Sequence, residues 1–433
     1  DDDHDFSLSI GDAVGFAIRF TVDGSDMGWW PSSEPAEWHN IGIASSLKRI
    51  YIRADGSVDS PTPQIASADK IVYAFTSNIH YPIIVQRDDI IVDGAGYTLQ
   101  GTGTEIGINL TGTSNVTIRN MKIEAFQFGV RLEQSSNNKI IGNNFRNGWC
   151  GVWVQNSSDN SIVENEMKNN TYGAWIFASN NTLCGNTISN NSDSGVVMDL
   201  DSSNNTISEN IITNNTRGVW IIMASDNKFY HNNLINNTVQ VHIPMSGCAN
   251  FWDDGMEGNF WSNYTGLDSN NDGIGDNKHE IDANNTDNFP LMGVFSSFNT
   301  SLGYRVNIIS NSTIQDFQYF ESNSTIRMYV STSSASPTHG FCRVCIPHTL
   351  ISPDEIAVII DDGETPVLYH NYTLNDNGTH RWIYFAYEHS AHKVDIIPEF
   401  PSLLIPPLFM IATLLAVIVY RRKVRACVHN SVE

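Results

Sequence analysis

Short apolar runs alternate with polar residues between positions 114 and 250, and the pattern returns every 21 to 24 residues. A typical run is Gly151-Val-Trp-Val-Gln, and alternation with a period of two predicts a β-strand with one buried face. An asparagine marks each repeat, at Asn115, Asn138, Asn160, Asn181, Asn205, Asn227 and Asn250. Self-similarity at this period indicates a solenoid, in which each repeat buries its apolar face against its neighbours.

Turn-forming residues separate the strands of each repeat. A glycine recurs with the same spacing, at Gly129, Gly151, Gly173, Gly195 and Gly218. Asparagine tolerates left-handed backbone angles and glycine adopts them freely, while stacked asparagines can hydrogen-bond as a ladder. A leucine-rich repeat has a similar period, but it needs leucines at fixed positions and usually a helix in each repeat. The sequence therefore predicts an all-β fold organised around a parallel β-helix.

The repeats, together with the lead-in Ile50–Val58 and the segment Asp88–Gly96, resemble those of the NosD-like family. That family is described as periplasmic copper-binding or as carbohydrate-binding and sugar-hydrolysing. The resemblance covers roughly Tyr51 to Met292 and implies a right-handed parallel β-helix. It does not single out one activity.

The repeat strands also predict a column of outward side chains. In each Gly-Val-x-Val run the flanking residues face the core, so position x faces out. That column contains Arg131, Trp153, Trp175, Val197, Trp220 and His242, and spans about 24 Å at the spacing of parallel strands. The next outward column contains Glu133, Gln155, Phe177, Asp199, Ile222 and Pro244. Aromatic rings beside polar side chains suit sugar binding, so we expect Arg131, Trp153, Trp175, Trp220, Phe177 and Gln155 to contact a ligand. Alternatively, another part of the chain covers this face.

Catalysis is a weaker expectation. The candidates are Asp199 and Asp201, with Glu164 and Glu166 as a second pair and Asp93 in an early coil. Hydrolases need convergent carboxylates, and lyases need clustered aspartates for calcium beside a basic residue. No such cluster is evident, because Arg131 lies three coils from Asp199.

The sequence offers candidate ligands for two metals, copper and calcium. Copper would need convergent His, Met or Cys side chains, and the nearest grouping is His231, His242, Met245 and Cys248, which favours a structural reading. For calcium, the residues that follow the spacing of oxygen ligands in calcium loops are Asp268, Asn270, Asp272, Ile274 and Asp276, with Glu280 or Asp282 as a closing ligand. His279 stands at the twelfth position, so the loop resembles dockerin and thrombospondin loops and not an EF-hand. The sequence predicts a structural calcium ion; an acidic turn is the alternative.

Beyond residue 295 the asparagine corners disappear. Strand-like runs at Tyr304–Asn307, Thr325–Val330, Ala357–Ile360 and Trp382–Tyr387 predict an Ig-like β-sandwich. Cys342 and Cys345 belong to one expected strand, where this spacing directs their side chains to opposite faces.

The segment Leu403–Tyr420 is apolar and uncharged, and a basic cluster follows it. This pattern predicts one transmembrane helix with the bulk of the chain outside the cell and the tail in the cytoplasm. The preceding Pro398–Ser402 resembles the PEF-type sorting signal of archaeal surface proteins, which implies either cleavage and re-anchoring or a permanent anchor.

The predicted organisation is residues 1–47, a β-rich cap or the end of an upstream sandwich; 48–265, the β-helix; 266–295, the calcium-loop cap; 296–397, the sandwich; 398–423, the sorting motif and membrane helix; and 424–433, the tail.

A net charge of −23 argues against nucleic acid as a partner. Abundant Asn-x-Ser/Thr sequons suit a secreted glycoprotein. We expect an archaeal-type surface protein that binds a polysaccharide or glycoprotein of the envelope without catalysis. The alternatives are a surface polysaccharide lyase or hydrolase and a purely structural envelope component.

Overall fold

A computed structural model describes residues 18–22, 25–30, 49–245, 247–332, 339–351, 356–361, 366–369, 373–388 and 390–398. The chain divides into two compact units, residues 1–49 and 50–433. In the first unit, Ile18–Val22 and Ser25–Trp30 form an antiparallel hairpin. Within the described ranges the elements are strands, and no helix there could span a membrane. The predicted membrane segment, residues 403–420, lies outside the described residues.

The second unit begins with a parallel β-helix whose coils contribute strands to three sheets. The first sheet contains Ile50–Ile52, Val58–Asp59, Ile83–Val85, Ile106–Thr111, Phe128–Glu133, Cys150–Gln155, Tyr172–Phe177, Ser194–Met198, Arg217–Ile221 and Val239–His242. The second contains Ile65–Ala66, Val72–Phe75, Ile91–Asp93, Thr117–Arg119, Lys139–Ile141, Ser161–Val163, Thr182–Cys184, Thr206–Ser208 and Lys228–Tyr230. The third contains Thr98–Gln100, Lys122–Glu124, Asn144–Arg146, Glu166–Lys168, Thr187–Ser189, Ile211–Thr213, Asn233–Ile235 and Phe260–Trp261. The parallel β-helix predicted from the repeats is confirmed.

The start of each first-sheet strand explains the recurring glycine. A Cβ atom at Gly129 would lie 2.5 Å from the carbonyl oxygen of Gly151 in the next coil. The same clash would occur at Gly151, whose Cβ would lie 2.6 Å from the carbonyl oxygen of Gly173. Only glycine allows the backbones of successive coils to approach this closely.

Buried asparagine side chains join successive coils at all three corners. Both the backbone N–H and the Nδ2 of Asn186 donate to Oδ1 of Asn210, each at 2.9 Å, and Nδ2 of Asn210 donates to the Leu183 carbonyl at 2.8 Å. The ladder between the first and second sheets comprises Asn138, Asn160, Asn181, Asn205, Asn227 and Asn250. The ladder between the second and third comprises Asn143, Asn165, Asn186, Asn210, Asn232 and Asn259. The ladder between the third and first comprises Asn170, Asn191, Asn215 and Asn237. The stacking predicted for the repeated asparagine is therefore confirmed.

The two residues of each asparagine pair have different roles. The residue before the ladder asparagine takes the left-handed backbone angle, with φ of 58° at Asn137 and 61° at Asn180. Asn115 also has a positive φ, 54°, because Thr117 pairs with Lys139 and so aligns Asn115 with Asn137. The alignment of Asn115 with the ladder residues was therefore wrong, and the first ladder begins at Asn138.

A hairpin of strands His279–Asp282 and Asn285–Asp287 ends two of the ladders. Oδ1 of Asn285 accepts the backbone N–H of Asn250 at 3.0 Å, and Oδ2 of Asp287 accepts that of Asn259 at 2.8 Å. Each ladder amide donates toward the C-terminal end, so the last member needs an acceptor. An ionised carboxylate offers only acceptors, which suits Asp287 to this position.

At the opposite end, Val58–Asp59 and Ile65–Ala66 pair antiparallel with the first and second sheets. These short strands cover edges that would otherwise be free to pair with another chain.

A two-sheet β-sandwich follows the β-helix. One sheet orders its strands Val294–Asn299, Arg305–Ser310, His339–Pro347, His380–Glu388 and Thr373–Asp376. The other orders them Thr313–Phe320, Thr325–Ser331, His392–Pro398, Ile356–Asp361 and Pro366–Tyr369. Each of the four strands predicted here overlaps an observed strand. Cys342 packs in the sandwich core and Cys345 does not, so their predicted opposite orientation is confirmed.

A buried ionic cluster joins the sandwich to the β-helix. Nε of Arg343 lies 2.7 Å from one oxygen of Glu257, and Nε2 of His231 lies 3.0 Å from the other. Burial alone would raise the pKa of Glu257, but the hydrogen bond from His231 and the Arg343 charge hold it below its ordinary value. Asn233 adds two 2.8 Å hydrogen bonds to the backbone of Phe295. On the β-helix, these contacts are made at the second and third sheets and do not involve the first sheet.

Candidate functional site

The predicted outward column stands in register on the first sheet. Arg131, Trp153, Trp175, Val197, Trp220 and His242 pair successively from one coil to the next. The second column begins in the same way, since Glu133 pairs with Gln155 and Gln155 with Phe177. The tryptophans of the column are partly exposed. Strand alternation therefore places these side chains correctly, while their role in ligand binding stays a prediction.

The column belongs to a larger group of rings, which we call the aromatic strip: Phe128, Trp149, Trp153, Tyr172, Trp175, Trp220 and His242. Trp149 stacks on Trp175 with centroids 5.5 Å apart and an interplanar angle of 22°. Trp153 and Trp175 are 5.1 Å apart, and Tyr172 meets Trp175 edge to face at 4.8 Å. These separations are typical of packed aromatic pairs, so the rings support one another and do not stand as isolated open faces.

Sequence reasoning missed three members of the strip. Phe128 and Tyr172 directly precede the recurring glycine and pair with Cys150 from either side. Trp149 directly precedes Cys150, the first residue of its strand, and therefore lies outside the strand. The aromatic residue directly before a recurring glycine could have predicted Phe128 and Tyr172 as members of the strip. The position of Trp149 depends on a turn, which strand alternation does not describe.

The tryptophans of the strip cover one small residue of the column, Val197. Val197 lies between Trp175 and Trp220 in the column and is completely buried, at 0% exposure. Strands two coils apart are separated by about 9.6 Å, yet the ring centroids of Trp175 and Trp220 are 6.4 Å apart. The two indoles therefore lean toward each other and cover Val197, which makes the strip continuous.

Charged groups on the strip are engaged with one another or with the rings. Arg131 lies 2.6 Å from Glu133, and Arg217 pairs with Asp193 while its guanidinium carbon sits 4.0 Å from the Trp220 ring centroid. Burial, and after it the charge of Asp193, raises the pKa of Tyr172. Nε1 of Trp175 donates to Asp199 at 3.0 Å. Next to Trp175 and Asp199, Phe177 lines a shallow polar groove together with residues such as Ser158, Ser179 and Leu200.

The candidate catalytic carboxylates lie at turns or in contacts with neighbouring side chains. The strand ends at Met198, and Asp201 lies beyond it in a turn with a φ of 57°, so strand alternation does not predict how Asp201 is oriented. The catalytic role of Asp199 and Asp201 stays a prediction. Glu166 is paired with Arg146 and Lys168, and Glu164 occupies a left-handed turn with a φ of 56°.

Asp93 is held by its neighbours. It accepts hydrogen bonds from Nε of Arg119 at 2.7 Å and from the Ala95 backbone at 2.8 Å. Burial acts to raise the pKa of Asp93, but these hydrogen bonds outweigh it and hold the pKa below its ordinary value.

The residues considered for copper do not provide a ligand set that fits the metal. His231 is committed to Glu257 and stacks on Phe295 at 4.1 Å, while Cys248 is buried in the β-helix core. His242 packs against Trp220 in the aromatic strip. In the part of the chain that the structure describes, no three His, Cys, Asp or Glu side chains are grouped to hold a metal ion.

The predicted calcium loop is held by its own backbone. Asp268 accepts the N–H groups of Asp272 and Gly273 at 3.0 and 2.9 Å, and Asp276 accepts that of Ser269 at 2.7 Å. Asn270 donates to Asp272 at 3.1 Å, and Asp272 accepts the N–H of Ile274 at 2.8 Å. Asp282 instead accepts hydrogen bonds from Asn284 and Asn285 in the capping hairpin. The loop residues carry the oxygen atoms that calcium prefers, so calcium binding there stays a prediction.

Residues 71–266 match the family described as periplasmic copper-binding protein (NosD). This segment coincides with most of the β-helix, so the β-helix of this chain is NosD-like, as its repeats predicted. Comparison with curated protein sequences gives no match.

Solved structures similar to this chain include enzymes and phage proteins. An alginate lyase from Paenibacillus is 13% identical, with a TM-score of 0.33 over 44% of this chain and 80% of that one. The A-module of a mannuronan C-5 epimerase from Azotobacter vinelandii is 14% identical, with a TM-score of 0.28 over 43% and 62%. The enzymatically active domain of a tailspike protein from bacteriophage CBA120 is 11% identical, with a TM-score of 0.35 over 74% and 65%. These likenesses concern the fold alone.

Proposed function

We propose that this chain is a non-catalytic binding protein whose aromatic strip contacts a polysaccharide or glycoprotein of the cell envelope. One observation carries the proposal: seven rings cluster on the outer face of one sheet, partly exposed and bordered by polar side chains. Solvated sheets do not require such a cluster, and contiguous apolar patches of this kind mark interaction sites.

The shape and chemistry of the strip support an extended sugar polymer as the ligand. The strip follows the helix axis over about 24 Å on an open surface, which suits a chain more than a small molecule. Ring edges and the outermost ring faces offer apolar contact, while Asp199, Glu133 and Gln155 provide hydrogen-bond partners along one side.

Binding to immobilised polysaccharides tests the proposal. We expect the double substitution Trp153→Ala with Trp175→Ala to weaken binding by about tenfold or more, which corresponds to about 1.4 kcal/mol or more. Phe251→Ala is a matched control, because Phe251 is 55% exposed and lies outside the strip. Unchanged binding by the double variant, with the fold intact by circular dichroism, would contradict the proposal.

The same preparations test the enzymatic alternative. We expect no polysaccharide turnover by the intact chain. Cleavage that disappears in Asp199→Asn would instead assign a lyase or hydrolase activity to this face. Lateral self-association without any sugar binding would indicate a structural envelope component.

We also propose display at the cell surface, through the apolar segment 403–420 and the basic cluster after it. The expected result is association with membranes that resists alkaline carbonate, together with protease access to the β-helix in intact cells. Release of the protein by carbonate would argue against a spanning anchor.

A further inference from the structure

The charges around the aromatic strip are few and unequal in sign. From the coil of Phe128 to that of His242, the charged side chains on the two outward columns and at the strand starts are the cations Arg131 and Arg217 and the anions Glu133, Asp193 and Asp199. Carboxylates therefore outnumber cations on this face.

Both arginines are already occupied. Arg131 forms its 2.6 Å ion pair with Glu133. Arg217 pairs with Asp193, donates to the Ser194 hydroxyl at 3.1 Å and places its guanidinium carbon 4.0 Å from the Trp220 ring centroid. A ligand carboxylate or sulfate would have to displace one of these contacts and would meet the repulsion of the released carboxylate.

The remaining carboxylate, Asp199, lies beside the middle of the strip and is partly exposed. Asp199 accepts hydrogen bonds from Trp175 Nε1 at 3.0 Å and from the Leu200 backbone at 2.9 Å. A carboxylate has about four acceptor positions, so it retains capacity to accept from sugar hydroxyl groups. The net charge of −23 adds a repulsive field against any polyanion.

We infer that the ligand of the aromatic strip is an uncharged polysaccharide, recognised by ring contact and by hydroxyl donation to Asp199. This inference rests on the proposed function and adds the chemical class of the polymer. Recognition of anionic polymers relies on unpaired arginine or lysine side chains, which this face lacks among the described residues.

A panel of soluble polysaccharides tests the inference by affinity electrophoresis and calorimetry. Unsubstituted glucans, mannans and galactans are compared with alginate and polygalacturonate, at low and at high sodium chloride concentration. We expect at least one uncharged polymer to bind, with an affinity that changes less than about twofold with salt, because no ion pair with the ligand is formed. No anionic polymer should bind.

A second test is whether Asp199→Asn lowers or raises the affinity for the ligand. In Asp199→Asn the amide oxygen can still accept from Trp175, but the negative charge is lost. If the ligand is uncharged, the variant binds about five- to tenfold more weakly, because charge-assisted hydrogen bonds are replaced by neutral ones. If the ligand is anionic, the same variant binds more tightly, because a repulsive charge has been removed.

The outcomes separate the two claims. Binding of alginate or polygalacturonate alone, weakened by salt and by the Trp153→Ala and Trp175→Ala substitutions, overturns the inference and leaves the proposed function intact. Polymer binding that is unchanged by both tryptophan substitutions overturns the proposed function itself. No binding to any polymer of the panel overturns the inference of an uncharged polysaccharide ligand. Thermal unfolding of each variant confirms that a lost signal does not come from a lost fold.

Discussion

The corners of the β-helix and the outer face of its first sheet use the same coil repeat in different ways. At the corners the repeated residue is nearly always asparagine, and it is buried; Asn205, Asn210 and Asn227 are all 0% exposed. On the outer face the repeated position holds arginine, tryptophan, valine or histidine. The backbone needs the same hydrogen bond at every corner, whereas an outward position has no such backbone requirement. Identity between repeats therefore marks the positions that the fold requires, while the outward positions are free to vary.

The largest effect should come from interrupting a ladder. In Asn210→Ala, the N–H and Nδ2 groups of Asn186 lose their acceptor and the Leu183 carbonyl loses its donor, all in the interior. Each buried group left without a partner costs about 1–3 kcal/mol, so we expect a loss of about 3–5 kcal/mol in the free energy of unfolding. Urea unfolding measures it.

A matched substitution at the neighbouring exposed corner provides the control. Asn214 has a φ of 55°, which glycine adopts without strain, so Asn214→Gly should change stability by less than about 0.5 kcal/mol. Equal effects of Asn210→Ala and Asn214→Gly would mean that the ladder does not carry the stability assigned to it.

The end of the second ladder should make stability depend on pH. Burial raises the pKa of Asp287 to about 6, above its value in the unfolded chain. The folded state thus binds the proton more tightly, and its advantage is lost as the pH rises through about 6. Relative to Asp287→Asn, the wild type should lose roughly 3 kcal/mol between about pH 4 and pH 7, at about 1.4 kcal/mol per pKa unit. Parallel curves for the two proteins would refute this linkage.

Calcium should have a smaller effect, confined to the cap. If Asp268, Asp272 and Asp276 bind the ion, free calcium at about ten times its Kd stabilises the folded state by about 1.4 kcal/mol. Differential scanning calorimetry with calcium and with chelator measures this shift, and Asp272→Asn should reduce it. An unfolding temperature that is the same in both buffers would show that hydrogen bonds alone hold the loop.

The smallest effect on stability should come from the strip. Trp153 is partly exposed and rests on other rings, so Trp153→Ala should cost about 1 kcal/mol, which is the value of its aromatic pairs. Trp153→Ala should change the free energy of ligand binding more than it changes the free energy of unfolding. A destabilisation as large as that of Asn210→Ala would make the strip a part of the fold and not a site.

The sequence predicted what the coil repeat controls. Strand alternation placed Trp153 and Trp175 in one column, and the repeated asparagine predicted one ladder. The second ladder had a visible signal too, because Asn143 follows Asn138 by five residues and Asn165 follows Asn160 likewise. The terminator Asp287 had none, since it belongs to a hairpin outside the repeat.

Features that depend on three-dimensional packing were out of reach. The ion pair of Glu257 with Arg343 joins residues 86 positions apart, and no local pattern connects them. The stacking of Trp149 on Trp175 depends on how a turn directs one indole, and the pairing of both strip arginines depends on rotamers. These contacts decide whether a face is open, rigid or charged.

The coil-by-coil construction has an evolutionary consequence. Each coil contacts only its two neighbours, so duplication of a single coil between Trp153 and Trp175 would lengthen the aromatic strip by about 4.8 Å without disturbing either end of the solenoid. Duplication or loss of the gene segment that encodes one coil could in this way lengthen or shorten the strip from one lineage to another.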